Sequence, residues 1–439
     1  MELDNLQKKI QEKKAKVGII GLGYVGLPLA MEFVAAGYKV FGIDVNEEKV
    51  DSLNNGKSYI MDIPEKTVRH ALNSNFFNAT TDFSILAKLD VVCVCVPTPL
   101  NENQEPDISY MVYTVEKLEQ YMNNPLLILL ESTTYPGTTR ELFAHSFEKS
   151  GKYVDKDYFL CFSPERVDPG NEKFQTRTIP KVIGGLTPAS SRLAKDLYSM
   201  VLEEVVLVNS PETAEMSKLL ENTFRSINIA FVNEMALMCE RMGIDVWETI
   251  DAAATKPFGF MPFYPGPGVG GHCIPLDPMY LHWKGKQNKF FNKFIEISQE
   301  INMNMPYRVV DKIQDALNAK KKPLKNAKII LVGVAYKSNI NDVRESPALD
   351  VYNILKERGS LLTVLDPFVP SFFDSHGEQV HVIQSETCDF SIYDCTVILT
   401  KHNQMSYQNL LDDSHLIVDM CHIYKNSKSD KIHKIGGGR

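Results

Sequence analysis

One thiol, one imidazole and one carboxylate stand together in residues 266–278, which read Gly-Pro-Gly-Val-Gly-Gly-His-Cys-Ile-Pro-Leu-Asp-Pro. The thiol belongs to Cys273, and the carboxylate of Asp277 follows four residues later. Glycines leave the backbone bare, so a ligand can approach such a loop closely. A cysteine in this position can act as a nucleophile toward a carbonyl carbon. The alternative interpretation is a buried structural cysteine in a turn.

Residues 16–44 have the pattern of a dinucleotide-binding unit. An apolar segment leads into Gly-Leu-Gly-Tyr-Val-Gly and a helical segment, and a second apolar segment ends at Asp44. We expect Gly21 to permit the tight turn, Gly23 the approach of a pyrophosphate and Gly26 the packing of helix on strand. The helix N-terminus would face the phosphates. Asp44 can accept from both ribose hydroxyls and would repel a 2′-phosphate, which favours NAD over NADP; a strand-end cap is the alternative.

Further cofactor contacts are expected beside this fingerprint and in loops at the carboxyl ends of later strands, where α/β sheets bind ligands. Lys49 lies one turn into the next helix and can reach a phosphate, although a solvated lysine is nearly as good an interpretation. The full set of such residues is Tyr24, Val25, Lys49, Pro97, Thr98, Glu131 and Thr133.

Composition excludes several classes of function. The chain has 439 residues and a formal net charge of −8, which argues against binding along a nucleic-acid backbone. No apolar run approaches the ~18 residues that a membrane helix needs, and residues 1–16 have no apolar signal-peptide core. The eight cysteines show no paired spacing, which predicts free thiols in a cytoplasmic protein and no zinc cluster. Cys93 and Cys95 are interpreted as core residues of an apolar strand.

The pattern of apolar segments predicts an α/β protein with two Rossmann-like doubly wound domains joined by a long central helix. Residues 1–210 would form the NAD-binding domain, with parallel strands, and residues 211–320 a central helical region. Residues 321–439 would form the second α/β domain. The lysine-rich N-terminus is expected to be a solvated helix, and residues 425–439 a mobile tail.

The central helix is predicted over residues 211–242, because apolar residues recur there with helical spacing. Lys218 and Asn222 are four residues apart and therefore share one face, which is either functional or merely solvated. The second α/β domain lacks a Gly-x-Gly-x-x-Gly turn, so we expect it to bind something other than a second NAD.

The chain resembles the UDP-sugar 6-dehydrogenase family over almost its whole length. The resemblance rests on seven features in one order: the fingerprint at 21–28, Val-Pro-Thr-Pro at 96–99, Glu-Ser-Thr at 131–133, Ser-Pro-Glu-Arg at 163–166, Lys218 with Asn222, the loop 266–278, and Gly-Val-Ala-Tyr-Lys-Ser-Asn-Ile-Asn-Asp-Val-Arg-Glu-Ser-Pro at 333–347. It implies a homodimer, or a higher homo-oligomer, formed through the central region. It also implies a C-terminal nucleotide-sugar domain. It also implies oxidation of a sugar C6 alcohol to the carboxylate with two NAD per turnover, as in pathways that supply surface polysaccharides.

The resemblance also implies roles for individual residues. Cys273 would add to the intermediate aldehyde and carry it to a thioester. Lys218 and Asn222 would stabilise the alkoxide, and Asp277 would order or deprotonate water. Glu165 would be the general base of hydrolysis and Thr133 would position its water.

Substrate contacts are expected mainly from cations and aromatic residues. Lys337 and Arg344 suit a diphosphate or uridine, whereas Phe263 and Tyr264, with Phe260, can enclose the sugar and base or simply pack the loop. The full expected set is Glu165, Arg166, Lys218, Asn222, Phe263, Tyr264, Gly270, Lys337 and Arg344.

The loops around Glu131, Glu165 and Cys273 resemble most the branch of the family that acts on UDP-N-acetylglucosamine. Arg166 stands where enzymes for UDP-glucose commonly have Phe, which puts UDP-glucose in doubt; the N-acetylgalactosamine and N-acetylmannosamine epimers stay open. Asp168-Pro169 stands where a second Glu often occurs, and Lys256 is a possible substitute for an Arg that reaches across the dimer. The competing classes are an NAD-dependent hydroxyacid dehydrogenase and a non-catalytic NAD-binding module.

Overall fold

The computed structural model divides the chain into two compact units. The first, here the N-terminal unit, comprises Met1–Glu221 and Met279–Phe290; the second, here the C-terminal unit, comprises Asn222–Pro278 and Phe291–Arg439. The structure describes residues 2–60, 62–101, 105–166, 176–385, 388–427 and 429–437.

The N-terminal unit contains an eight-stranded sheet and its helices. The strands are β1 (Lys16–Ile20), β2 (Lys39–Ile43), β3 (Phe77–Thr80), β4 (Val91–Val94), β5 (Leu126–Leu130), β6 (Tyr158–Phe162), β7 (Lys181–Gly185) and β8 (Val205–Val208). The helices are α1 (Glu2–Gln11), α2 (Gly26–Ala35), α3 (Glu47–Asn54), α4 (Glu65–Asn73), α5 (Ser109–Tyr121), α6 (His145–Lys149) and α7 (Pro188–Ser199), with a 3-10 segment (Phe83–Lys88) and a π-helical segment (Thr139–Ala144).

Two apolar cores lie on the two faces of this sheet. Along β4, Val91 and Cys93 belong to one core, whereas Val92 and Val94 belong to the other. Strands that are buried on both faces need continuous apolar runs, which explains why β4 and β5 show no polar alternation. The buried positions of Cys93 and Cys95 confirm their interpretation as core residues.

The strand order is β3-β2-β1-β4-β5-β6-β7-β8, and one pair departs from the expected parallel arrangement. β7 runs antiparallel to β6, with Cys161 opposite Gly185 and Phe162 opposite Gly184. In an antiparallel pair, the start of one strand lies beside the end of its neighbour. The first residue of β7 therefore lies at the edge where β5 and β6 end.

Helix α1 is only partly the solvated helix that its lysines suggest. Leu6 and Ile10 are buried in the core, and the Tyr38 hydroxyl donates to the Ile10 carbonyl at 2.8 Å. Lys9 pairs with Asp90 at 2.6 Å. An amphipathic helix of this kind buries one face and leaves its lysines on the other.

The long central helix is confirmed as α8 (Pro211–Met242), which contributes to both units. The helices that follow are α9 (Val246–Ala254), α10 (Asp277–Gln287), α11 (Lys293–Ala319), α12 (Pro347–Glu357) and α13 (Tyr407–Asp413). The remaining strands are β9 (Lys328–Val332), β10 (Leu361–Leu365), β11 (Ser371–Phe373), β12 (Gln379–His381), β13 (Cys395–Ile398), β14 (Ile417–Asp419) and β15 (Ile432–Lys434).

The C-terminal unit has a second parallel sheet, ordered β10-β9-β13-β14-β15, and a short β11–β12 hairpin. The prediction of a mobile tail is wrong for the part of the tail that the structure describes. β15 pairs with β14, and the indole of Trp247 donates to the Ile435 carbonyl at 3.0 Å. The predicted α/β class with two Rossmann-like units is confirmed. Within the described ranges, no helix is long and apolar enough to cross a membrane.

Candidate active site

The fingerprint turn combines one crowded position with one open position. Gly21 has φ of +90°, and a Cβ there would lie 2.5 Å from the Cys95 carbonyl oxygen. A Cβ at Gly26 would lie 1.8 Å from the Gly21 carbonyl oxygen, whereas a Cβ at Gly23 would meet no heavy atom within 4 Å. The open side of the turn at Gly23 therefore leaves bare backbone that suits a pyrophosphate.

Asp44, at the end of β2, braces this turn. Its buried carboxylate accepts from the backbone N–H of Leu22 at 2.8 Å and of Asn46 at 3.0 Å. Tyr59 donates to the carbonyl oxygen of Leu22 at 2.6 Å, so both backbone groups of Leu22 are held. A carboxylate can accept about four hydrogen bonds, which leaves capacity for ribose hydroxyls.

The other residues expected beside the fingerprint differ in exposure. Tyr24 is exposed and Val25 is half-buried at the start of α2. The ammonium of Lys49 lies 3.8 Å from the Asp44 carboxylate. The bare turn, the helix N-terminus and the strand-end carboxylate together fit an NAD molecule, which would supply a hydride acceptor.

The loop after β5 is held by a glutamate that sequence reasoning missed. Glu215, in the first turns of α8, accepts from the N–H of Gly137 at 2.5 Å and from Thr139 N–H and hydroxyl at 2.9 and 2.6 Å. Burial raises the pKa of Glu215 to about 7, although these hydrogen bonds lower it. Thr133 lies half-buried in this same loop.

The loop after β4 presents Pro97 at the surface and buries Thr98. The carbonyl of Thr98 accepts from the Tyr280 hydroxyl at 2.8 Å, which ties this loop to α10 within the N-terminal unit. Both predicted cofactor loops, after β4 and β5, are thus fixed at the carboxyl edge of the sheet.

Glu131, Glu165 and Lys181 form a buried cluster at this edge. The Lys181 ammonium lies 2.5 Å from Glu131 Oε2 and 3.4 Å from Glu165 Oε2. The Tyr198 hydroxyl donates to Glu131 Oε1. Sequence reasoning missed Lys181 and Tyr198; the only signal was a lysine that opens an otherwise apolar strand.

Arg166 points away from this cluster. Its guanidinium pairs with Glu221 at 2.8 Å and donates to the Pro180 carbonyl at 3.0 Å. Its backbone N–H donates to Glu165 Oε1 at 2.7 Å. Residues 167–175, which include Asp168 and Pro169, lie outside the described residues.

In the C-terminal unit, Asn222 and Asp277 meet. Asn222 Nδ2 donates to Asp277 Oδ2 at 2.5 Å, and Asp277 is buried. The Asp277 N–H also donates to the Cys273 carbonyl at 2.9 Å, which joins the carboxylate to the thiol loop. Lys218, four residues earlier in the sequence of α8, is buried and belongs to the N-terminal unit.

The thiol loop packs against the segment that carries the predicted nucleotide cations. The Gly271 N–H donates to the Arg344 carbonyl at 3.1 Å, and a Cβ at Gly270 would lie 2.7 Å from both the Glu345 carbonyl oxygen and Tyr336 Cβ. Cys273 is exposed, whereas the other seven cysteines are buried or half-buried. The arrangement brings an accessible thiol and a cationic segment into one body.

Lys337 and Arg344 follow β9. Arg344 is exposed and forms a fork with Asp342, with its closest N–O distance at 2.6 Å. Lys337 is half-buried in the same segment.

The turn after β9 repeats the brace seen in the N-terminal unit. Asp366, at the end of β10, accepts from the N–H of Val334 at 2.8 Å and of Ala335 at 3.1 Å. A buried histidine, His402, completes it, with Nε2 3.1 Å from Asp366 Oδ2 and Nδ1 accepting from Asn339 N–H at 3.1 Å. The signal that sequence reasoning missed is the repeated order of strand, glycine, strand and aspartate.

The predicted aromatic residues Phe263 and Tyr264 each contact another aromatic ring. Tyr264 stacks on Trp247, with ring centroids 5.5 Å apart, and donates to Asp251 at 2.7 Å. Phe263 is half-buried and meets Phe224 edge-on at 5.9 Å. Lys256 lies over the ring of Phe258 at 4.8 Å.

The described residues contain no group of three or more His, Cys, Asp or Glu side chains placed to hold a metal ion. The chemistry that they do offer is nucleophilic, through Cys273, and acid–base, through the carboxylates at Asp277 and Glu165.

Comparison with known proteins decides the family. Models of the UDP-glucose/GDP-mannose dehydrogenase family match in sequence order: the NAD binding domain over residues 15–202, the central domain over 212–304 and the UDP binding domain over 330–426. The chain belongs to the UDP-glucose/GDP-mannose dehydrogenase family. The resemblance stated from the sequence is thus confirmed, as are the NAD cofactor and the dehydrogenase class. These matches give no support to the hydroxyacid dehydrogenase or to the non-catalytic module.

Individual relatives of this dehydrogenase differ in the sugar they are named for. The chain is 35% identical to a UDP-N-acetyl-D-mannosamine dehydrogenase of Methanococcus maripaludis, over 94% of this chain and 91% of that one. It is 32% identical to a UDP-N-acetyl-D-glucosamine 6-dehydrogenase of Pseudomonas aeruginosa, over 95% and 99%. The solved UDP-D-ManNAc dehydrogenase of Pyrococcus horikoshii is 30% identical, with a TM-score of 0.86 over 96% and 99% of the two chains.

Proposed function

We propose that this dehydrogenase oxidises the C6 alcohol of a UDP-N-acetylhexosamine to the uronate in two NAD-dependent steps. The observation that carries the proposal is the exposed thiol of Cys273, joined through the Asp277 backbone to the Asn222–Asp277 pair. A plain alcohol dehydrogenase has no need of a nucleophile, whereas a route from alcohol to acid must hold the aldehyde between two oxidations. A covalent thiohemiacetal does so.

The chemistry balances with two NAD per uronate. NAD held at the turn of Gly21, Gly23 and Gly26 would supply the hydride acceptor for both oxidations of C6. The first oxidation yields an aldehyde, and the Cys273 thiolate adds to its carbonyl carbon. The second oxidation turns that thiohemiacetal into a thioester; water then releases the carboxylate and regenerates the thiol.

The residues around the thiol are assigned on the family pattern. Lys218 and Asn222 donate to the developing alkoxide. Asp277, held by Asn222, orders or deprotonates water. Glu165 acts as the base that activates water for hydrolysis, and Thr133 positions that water.

The cofactor and nucleotide contacts follow the same pattern. The turn Gly21, Gly23, Tyr24, Val25 and Gly26 would hold the pyrophosphate, and Asp44 the ribose. The remaining proposed cofactor contacts are Lys49, Pro97, Thr98, Glu131 and Thr133. The proposed substrate contacts are Glu165, Arg166, Lys218, Asn222, Phe263, Tyr264, Gly270, Lys337 and Arg344.

Three N-acetylated epimers, those of glucosamine, mannosamine and galactosamine, are candidates for the sugar. The loops around Glu131, Glu165 and Cys273 favour UDP-N-acetylglucosamine, whereas relatives such as the M. maripaludis protein are named for the mannosamine epimer. The test is NADH formation with UDP-N-acetylglucosamine, UDP-N-acetylmannosamine, UDP-N-acetylgalactosamine and UDP-glucose. One N-acetylated sugar should exceed UDP-glucose at least tenfold in kcat/KM. A preference for UDP-glucose would contradict the proposal.

We further propose a cytoplasmic homodimer or higher homo-oligomer with the predicted domain division at residues 210 and 320. All eight cysteines are free thiols, which suits a reducing compartment. Phe224, Phe231, Met238 and Met242 of α8 are large apolar side chains exposed on the chain by itself. Exposed apolar surface on this scale is typical of an interface.

A further inference from the structure

Glu131, Glu165 and Lys181 form a cluster of charged side chains with little solvent exposure. Their side chains are 0%, 10% and 7% exposed. Two carboxylates share one ammonium at the edge of the sheet where the carboxyl ends of β5 and β6 lie. Burying these charges costs desolvation free energy, and well-packed apolar residues in their place would often stabilise the fold equally well. Perturbed charge clusters at a ligand-binding edge are frequently functional.

The antiparallel strand β7 delivers Lys181 to this edge. In the register of β6 and β7, Phe162 lies opposite Gly184. Continuing that register by three residues sets Glu165 opposite Lys181. In a parallel neighbour, the first residue of the strand would lie at the far edge of the sheet.

Core residues contact the cluster on its buried side. Tyr198, from α7, donates to Glu131 Oε1, and Cys93 Sγ lies 4.0 Å from the Tyr198 hydroxyl. Burial raises the pKa of Glu131 and Lys181 lowers it. Burial opposes the charge of Lys181, but Glu131 and Glu165 outweigh it and raise the pKa of that ammonium.

Few other titratable groups of the described elements face the cluster. Cys93 and Cys95 approach from β4, and burial raises the pKa of both thiols, so they stay neutral. Tyr198 is likewise neutral, since burial raises the pKa of its hydroxyl. The guanidinium of Arg166 is engaged with Glu221 and Pro180. Among these described groups, Lys181 is a cation in direct contact with Glu165, at 3.4 Å.

We propose that Lys181 is a positioning residue that holds Glu165 ionised and oriented as the hydrolytic base, and that Glu131 tunes this effect by competing for the same ammonium. The inference rests on the proposed role of Glu165. It adds a positioning role for Glu131, whose carboxylate oxygens accept from Tyr198 and Lys181, to the cofactor contact proposed above. Lys181 and Glu131 transfer no proton in this role; the fixed ammonium acts on the base at 3.4 Å.

Two substitutions should then act in opposite directions. In Lys181→Met, Glu165 loses its attracting cation and keeps a like charge nearby, so the acid limb of the hydrolysis rate should move up by about one pH unit or more. In Glu131→Gln, the like charge disappears and Lys181 serves Glu165 alone, so the limb should move down. A residue needed only for folding would not produce shifts of opposite sign.

The experiment follows decay of the Cys273 acyl-enzyme against pH, by quenching and mass spectrometry of the full-length enzyme. Lys181→Arg should rescue most of the wild-type profile, and the double variant Glu131→Gln with Lys181→Met should return the limb toward the wild-type position. Lys152→Met is the matched control, because the Lys152 ammonium donates to the Met122 carbonyl at 3.0 Å and lies in the same unit. Its profile should not move.

The outcomes separate this inference from the proposed function. Glu165→Gln should slow hydrolysis by ~10²-fold or more; a wild-type rate would remove Glu165 as the base and the inference with it. A slow Glu165→Gln with no shift, or shifts of one sign, in the other two variants overturns only the role of Lys181. Should Lys181→Met fail to fold, the downward shift in Glu131→Gln and the rescue in Lys181→Arg are both still required.

Discussion

Asn222 Nδ2 and Asp277 Oδ2 lie 2.5 Å apart, although 55 residues separate them in the chain. The amide fixes the orientation of a buried carboxylate that follows the thiol by one helical turn. In Asp277→Asn, a reoriented amide can keep a hydrogen bond to Asn222 but cannot accept a proton from water. We predict that kcat falls by ~10²-fold or more while the melting temperature changes by only a few degrees.

Asn222→Ala should behave differently, because it leaves the buried Asp277 carboxylate short of a donor. We predict a loss of both kcat and stability, the latter of ~1–3 kcal/mol. Asn228→Ala is the control, since Asn228 donates to the Phe224 carbonyl of its own helix. Equal effects of Asn222→Ala and Asn228→Ala on kcat would contradict the assigned role of the pair.

The fingerprint glycines predict two separable phenotypes. Gly26→Ala sets a Cβ 1.8 Å from a backbone oxygen and should destabilise the N-terminal unit by ~1–3 kcal/mol or more. Gly23→Ala meets nothing within 4 Å; we predict an unchanged melting temperature but NAD affinity at least tenfold weaker, measured by calorimetric titration. Unchanged NAD affinity in Gly23→Ala would show that the cofactor does not approach there.

Glu215 predicts a pH dependence of stability. Burial raises its pKa from 4.5 to about 7, so between these values the folded state binds a proton that the unfolded state releases. Stability from this group is therefore present below pH ~4.5 and lost as pH rises through ~7, by on the order of 3 kcal/mol.

In Glu215→Gln, this part of the pH dependence should disappear, which melting curves at pH 5 and pH 8 would detect. Glu212→Gln is the control on the same helix turn. Arg140 holds Glu212, whose pKa is lowered despite burial. Its effect should be small and opposite in sign. An unaltered difference between the two pH values in Glu215→Gln would refute the prediction.

The exposed apolar face of α8 predicts self-association. Phe231→Glu puts a charge on a side chain that is half exposed in the single chain. If α8 forms the dimer, this variant should shift the mass in light scattering from dimer to monomer at micromolar concentration. The surface variant Lys321→Glu is the control. A dimer that persists in Phe231→Glu would place the interface elsewhere.

Local pattern was enough to predict the cofactor turn and the thiol loop. Gly21, Gly26 and Asp44 act through neighbours that the strand–turn–helix order brings together, so their spacing carried the information. The bounds of α8 followed from one long run of helical periodicity.

Contacts between residues far apart in the sequence could not be predicted from local patterns. Nothing local shows that β7 would run antiparallel and set Lys181 opposite Glu165, nor that Glu215 would cap the loop at Gly137. The polar composition of residues 425–439 predicts a mobile tail. Trp247 and β14 nevertheless supply hydrogen-bond partners to the part that the structure describes.

The most direct test of the central claim measures the number of NADH formed per uronate, with and without the thiol of Cys273. Wild-type enzyme with NAD and the preferred UDP-N-acetylhexosamine should yield two NADH per uronate, and acid quenching during turnover should trap the acyl group on Cys273. Cys273→Ser should form no thioester and lose uronate production by ~10³-fold or more. Two NADH per uronate at the wild-type rate from Cys273→Ser would contradict the account.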